Sequence, residues 1–98
     1  MTSVRFREEA RDDIEGIAAF ISQHDEGAAA RVVQRIHHVI YSVIGKLPLC
    51  GRFIKESGTR EFSVPGLPYI VIYLADHDAV EIIAVFHTSR DPKTKRRP

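Results

Sequence analysis

Cysteine is nearly absent from this chain of 98 residues. Cys50 stands alone, so no intrachain disulfide can form, which fits a reducing compartment. No apolar run is long enough to span a bilayer, and no secretory hydrophobic region opens the sequence, so a cytoplasmic protein without membrane association is expected. An excess of one charge is missing as well. The chain has 14 Lys and Arg against 13 Asp and Glu, and bulk electrostatics select no partner. Internal repeats, low-complexity segments and linkers are lacking. That leaves one domain over residues 1–91, followed by a short basic tail over residues 92–98. A core of this size, to which Phe6, Phe20, Phe53, Phe62 and Phe86 can contribute, leaves little room for an enclosed cofactor pocket. No cofactor is expected, and a macromolecular partner fits better than a small metabolite.

What is present is strong periodicity. Ser3 to Phe6 alternates weakly, as a short edge strand would. Ala10, Ile14, Ile17, Ala18 and Ile21 then recur at helical spacing, with Arg11, Asp12, Asp13 and Glu15 on the other face. Glu8 and Glu9 suit the first turn, where carboxylates meet the positive end of the helix dipole. A helix is expected from about Glu8 to His24. The next has Asp25 as its N-cap and runs to about Leu47, where Pro48 stops it. Its stripe is Val32, Val33, Ile36, Val39, Ile40, Val43, Ile44 and Leu47. So short a loop between two amphipathic helices predicts an antiparallel hairpin. After Gly51 the period becomes two. Strands are expected at Thr59–Val64, Tyr69–Ala75 and Val80–His87, with turns at Pro65-Gly66 and Asp76-His77-Asp78. The fold class is therefore α+β: a short N-terminal strand and a helical hairpin laid on a three- to four-stranded antiparallel sheet. Ile36, Ile40, Val71, Ile83 and Val85 should be buried where the hairpin meets the sheet.

Signals for metal chemistry are lacking. His24, His37, His38, His77 and His87 form no ligand pattern with Cys50 or a carboxylate, and scattered histidines of this kind are mostly surface or packing residues. There is no P-loop, dinucleotide fingerprint, nucleophile elbow or CxxC. The polar residues after the second helix deserve a chemical reading. A metal-free ribonuclease needs a base for the 2′-hydroxyl, cations for the phosphorane and an acid for the leaving oxygen. Arg52, Lys55, Arg60 and His87 could meet those needs if they converge, with Glu56, Glu61, Tyr69, Tyr73 and Arg90 nearby. The alternative is that Tyr69 and Tyr73 are amphipathic strand residues and that Arg60 and Glu61 are surface charges. At the C-terminus, Arg90, Lys93, Lys95, Arg96 and Arg97 make either a solvated terminus or a phosphate-binding segment.

Read together, the local motifs have a family look. They are Val4-Arg5-Phe6, Glu9-Ala10, Asp13-Ile14, Ala28-Ala29-Ala30-Arg31, Leu47-Pro48 and Gly51-Arg52. Arg60-Glu61-Phe62 and Pro68-Tyr69-Ile70-Val71-Ile72-Tyr73 follow, and Val85-Phe86-His87-Thr88-Ser89-Arg90-Asp91 closes the series. In this order and spacing the chain resembles the ParE branch of the RelE/ParE toxin superfamily over almost its whole length. The resemblance implies the layout just described and a hetero-oligomeric complex with a cognate ParD-like antitoxin. Operator DNA would be contacted only through that antitoxin. It also implies an activity, inhibition of DNA gyrase, which needs no catalytic residue. In the other branch, RelE-like proteins cleave messenger RNA on ribosomes. They often carry Arg after the first Tyr of the Tyr-x-x-x-Tyr strand, where this chain has Ile70. Many also end in Tyr or His-Tyr, where this chain has His87-Thr88-Ser89-Arg90-Asp91. Arg60 is common to both branches. The gyrase reading makes Arg90, Lys93, Lys95, Arg96 and Arg97 the candidates for target contact. The rival readings are a ribonuclease using Arg52, Lys55, Arg60 and His87, and a non-toxic homologue that only binds.

Overall fold

The computed structural model describes residues 2–89. The chain runs β1 (Ser3–Phe6), α1 (Glu8–Ser22), α2 (Glu26–His38), a π-helical continuation (Val39–Ile44), β2 (Arg52–Ile54), β3 (Thr59–Ser63), β4 (Tyr69–Ala75) and β5 (Ala79–His87). The sheet has five strands in the order β1-β5-β4-β3-β2. This matches the expected short N-terminal strand and antiparallel sheet at its upper count of four, with β2 the strand too short to announce itself as alternation. β2 to β5 form an antiparallel meander, and β1 joins β5 in parallel, Ser3 opposite Ala79 and Phe6 opposite Ile82. That parallel pairing is open to β1 because the hairpin and three strands separate it from β5 in the chain.

Local chemistry explains the boundaries. The Asp25 carboxylate accepts from the Ala28 N–H at 3.0 Å, as an N-cap should. Gly66, at φ +78°, supplies the left-handed residue of the Pro65-Gly66 turn, and Leu67 N–H closes that turn on the Val64 carbonyl. Between β4 and β5, the Asp76 carboxylate accepts from the N–H groups of Asp78 and Ala79. These bonds, that of Asp78 foremost, hold its pKa below the usual carboxylate range.

The second helix does not run regularly to Leu47. From Val39 to Ile44 it widens, and the Gly45 N–H bonds back five residues to Ile40 O at 2.8 Å. A side chain at position 45 would place its Cβ 2.6 Å from Tyr41 O, so glycine is required at this exit.

The hairpin covers one face of the sheet. Ile36, Ile40, Ile44, Val71, Tyr73, Ile82 and Val85 are all buried there. Ile83 is buried too, but on the opposite face with Ile72, Ala84 and Phe86, which corrects its expected place under the hairpin. The cause is a bulge. Tyr73 pairs with Ile82 while Ile72 pairs with Ala84, so Ile83 is an extra residue. It puts Ile82 and Val85 on the same face although they are three apart. Two phenylalanines expected in the core are also outside it: Phe20 is 65% exposed and Phe53 is 53% exposed.

Candidate functional site

The four residues a ribonuclease would need are not brought together. Opposite residues of antiparallel strands share a face. Phe53, Arg60, Tyr73 and Ile82 therefore form one row on the hairpin side, and Arg52, Glu61, Ile72 and Ala84 form a row on the other. Arg52 is on the face away from Arg60 and pairs with Glu61 at 3.1 Å. Lys55 is exposed in the turn beyond β2. His87 pairs with Tyr69, four residues along β4 from the Tyr73 that faces Arg60. That separation is about 13 Å along the strand.

Arg60 has a structural task. It donates to Leu49 O at 3.2 Å and Gly51 O at 2.9 Å, and its guanidinium lies 5.2 Å from the centre of the Phe53 ring. Tyr73, fully buried, works on the same loop. Its hydroxyl donates to Pro48 O at 2.9 Å and accepts from Gly51 N–H at 2.8 Å. Burial is the main cause that pushes its pKa up to about 12. Tyr73 thus stays protonated at neutral pH and cannot act as a base. Together the two side chains tie residues 48–51 to the sheet. Gly51 is needed because a Cβ there would meet the Tyr73 hydroxyl at 2.5 Å.

A cleft of about 590 Å³ opens elsewhere, between α1 and the ends of β4 and β5. Asp12, Asp13, Gly16 and Phe20 line it from the helix, and Tyr69, His87 and Ser89 from the sheet. It exists because β1 is short. β1 reaches only Ile82, after which the chain turns into α1 with Arg7 N–H on Ile82 O at 2.9 Å. Past Ile82, among the described residues, no strand pairs with the outer side of β5. The Asp13 carboxylate fills part of the gap by accepting the Val85 N–H at 3.0 Å. A Cβ at Gly16 would meet nothing within 4 Å, so glycine leaves the helical wall of the cleft open there.

His87 Nδ1 is engaged locally, 2.9 Å from Ser89 Oγ and accepting the Ser89 N–H at 3.1 Å. Its ring stands edge-on to Tyr69 at 5.5 Å. Among the described residues, no group of His, Cys, Asp and Glu could hold a metal ion. An open strand edge beside an exposed aromatic and two carboxylates is suited to docking a polypeptide. Sequence reasoning singled out His87 and Tyr69 here but missed Asp13, Gly16, Phe20 and Ser89. Gly16 was the available signal, since a mid-helix glycine costs about 1 kcal/mol against alanine. Arg90, Lys93, Lys95, Arg96 and Arg97 lie outside the described residues.

Comparison with known proteins agrees with this architecture. Residues 4–92 match the family model described as the ParE toxin of the type II toxin–antitoxin system parDE. Y4kP of Sinorhizobium fredii, whose name marks it as a toxin candidate, is 36% identical over 84 residues, covering 86% of this chain and 85% of Y4kP. Two solved structures share the fold. One is from the chromosomal ParDE system of P. aeruginosa (TM-score 0.72, 18% identity, 89% of this chain and 96% of that one). The other is from the toxin–antitoxin complex RelBE2 of Mycobacterium tuberculosis (TM-score 0.67, 22% identity, 88% of this chain and 90% of that one). With its residues matched almost end to end, the chain belongs to the ParE toxin family of type II toxin–antitoxin systems.

Proposed function

We propose that this chain arrests growth by inhibiting DNA gyrase in the cytoplasm, and that a cognate ParD-like antitoxin silences it by occupying the cleft between α1 and β5. The observation that carries the first half is the dispersal of Arg52, Lys55, Arg60 and His87 over both faces and opposite ends of the sheet. A ribonuclease must hold base, acid and cations around one phosphate. A gyrase inhibitor needs only contact surfaces. Arg90, Lys93, Lys95, Arg96 and Arg97 are the proposed contacts to the enzyme's acidic surface or to its DNA. Operator DNA is reached only through the antitoxin. The cleft beside β5 supports the second half, since an added segment would find the Phe20 ring, the Tyr69 ring and the Asp12 carboxylate lining one opening. The antitoxin segment should therefore be extended or amphipathic and carry a basic residue.

The test is to induce the chain without antitoxin and to follow gyrase supercoiling and messenger RNA integrity together. Supercoiling should fall while translated messages stay intact, and His87→Ala should leave both readouts unchanged. Rapid cleavage of ribosome-bound messages, abolished by His87→Ala while gyrase stays active, would replace this reading with the ribonuclease one.

A further inference from the structure

A second surface lies on the far side of the sheet from the α1–β5 cleft. The row Ile82–Tyr73–Arg60–Phe53 crosses the hairpin face from β5 to β2. The core covers this row as far as Tyr73, which is fully buried, whereas Phe53 at its end is 53% exposed. Beside the overhang runs the loop that leaves the π-helical segment, and its Leu47 and Leu49 are each 64% exposed. The parts are joined by named bonds. Cys50 N–H closes a turn on Leu47 O, and Arg60 holds Leu49 O while it stacks on Phe53. Because Arg60 and Tyr73 tie the loop down, this is a fixed apolar notch rather than a frayed segment.

Its charge is one-sided. Lys46, Lys55 and Arg60 stand around the notch against the single carboxylate of Glu56, while Arg52 is on the other face and is paired with Glu61. Lys46 and Lys55 are exposed, and among the described residues no carboxylate pairs with Lys46, Lys55 or Arg60. A guanidinium held in place by two carbonyls still offers donors to an anion, and a carboxylate makes the stronger, charge-assisted bond. We propose that this notch docks a segment of a partner protein in which carboxylates flank aliphatic side chains. A nucleic acid fits worse. A base-stacking platform needs free aromatic faces, and the single ring here already carries the Arg60 guanidinium. Leu47 and Leu49 would also remain wet against phosphate. From β5 to β2 is three strand spacings, about 14 Å, so the notch is separate from the cleft and does not depend on the gyrase reading.

The test uses the full chain with photo-reactive benzoyl-phenylalanine in place of Phe53 and, in a second variant, of Leu49. Both are expressed in bacterial cells and irradiated, and cross-linked peptides are sequenced. The expected result is one predominant peptide, shared by both positions, with Asp or Glu within a few residues of Leu, Ile or Val. Adding Lys46→Glu and Lys55→Glu should lower its yield at least about fivefold, as should raising salt from 0.1 to 0.5 M during cross-linking in lysate. These two lysines are exposed, so the charge-reversed chain should keep the wild-type melting temperature. A yield indifferent to charge reversal overturns the proposal. Adducts to nucleic acid, adducts to a second copy of this chain, scattered adducts or none also overturn it. A peptide that meets the criteria supports the proposal whether or not it comes from gyrase, whose own test is the supercoiling readout.

Discussion

Tyr73 occupies a position where one hydroxyl replaces two absent backbone partners. The loop over residues 48–51 belongs to no strand or helix, yet it packs against the sheet, and its Gly51 N–H and Pro48 carbonyl both end on this side chain. Tyr73→Phe keeps the ring and removes both bonds, leaving a buried N–H unpaired. The expected loss is about 1–3 kcal/mol in denaturant titration. The same site has a pH signature. The phenol is neutral in the folded chain up to about pH 12, against 10.0 for an unburied tyrosine. Its pKa is raised on folding, so this contribution is complete below pH 10. Above it the unfolded chain loses the proton first, and stability falls until the folded pKa is passed. Stability measured from pH 9 to 12 should decline more steeply in the wild type than in Tyr73→Phe. Equal slopes would show that the hydroxyl is not held as described.

At the scale of elements, the π-helical turn at the end of the second helix carries much of the packing. Ile40 and Ile44 within it are fully buried against the sheet. Ile40→Ala should cost roughly 2–5 kcal/mol, because the surrounding side chains are anchored to strands and cannot collapse into the gap. Gly45→Ala should cost about 1–3 kcal/mol, the range for forcing atoms into a filled site, and thermal unfolding of both variants checks this. The stripe that locates Ile40 was legible, since apolar spacing reports which helix face is buried. So were β4, which spans the expected Tyr69–Ala75, and the Asp25 cap. Three features were not. The widening at Val39–Ile44 is a matter of hydrogen-bond register, and side-chain spacing barely changes with it. β2 has only three residues and owes its place to pairing with β3. The bulge at Ile83 inserts one apolar residue into an apolar run, so no polar residue marks the change of face. The site inherits these limits. Arg52, Arg60 and His87 could each be named from sequence, but their separation follows from strand register, which only the fold specifies.

The whole molecule is a sheet with one edge guarded and the other end open, and its partner should read that asymmetry. A segment bound in the α1–β5 cleft would stabilise the folded chain by mass action, by about 2.7 kcal/mol at a free concentration 100 times Kd. Calorimetric melting of the chain alone and with saturating antitoxin should differ accordingly. A shift of that kind does not say where the partner sits, and Gly16 does. It is on the helical wall of the cleft with open space where a side chain would stand. A Cβ there meets nothing within 4 Å, and leucine has a better helix propensity than glycine, by somewhat under about 1 kcal/mol. Gly16→Leu should therefore leave the melting temperature of the free chain unchanged or raised. It would also fill the cleft with an isobutyl group, and a segment lying along β5 could no longer reach the strand edge. Antitoxin affinity, measured by titration calorimetry, should fall by at least about tenfold, which corresponds to about 1.4 kcal/mol. Growth arrest by the variant should then become harder to reverse with antitoxin. Wild-type affinity in Gly16→Leu would move the antitoxin off this cleft. A lowered melting temperature would instead show that α1 packs closer to β5 than the open space at Gly16 implies.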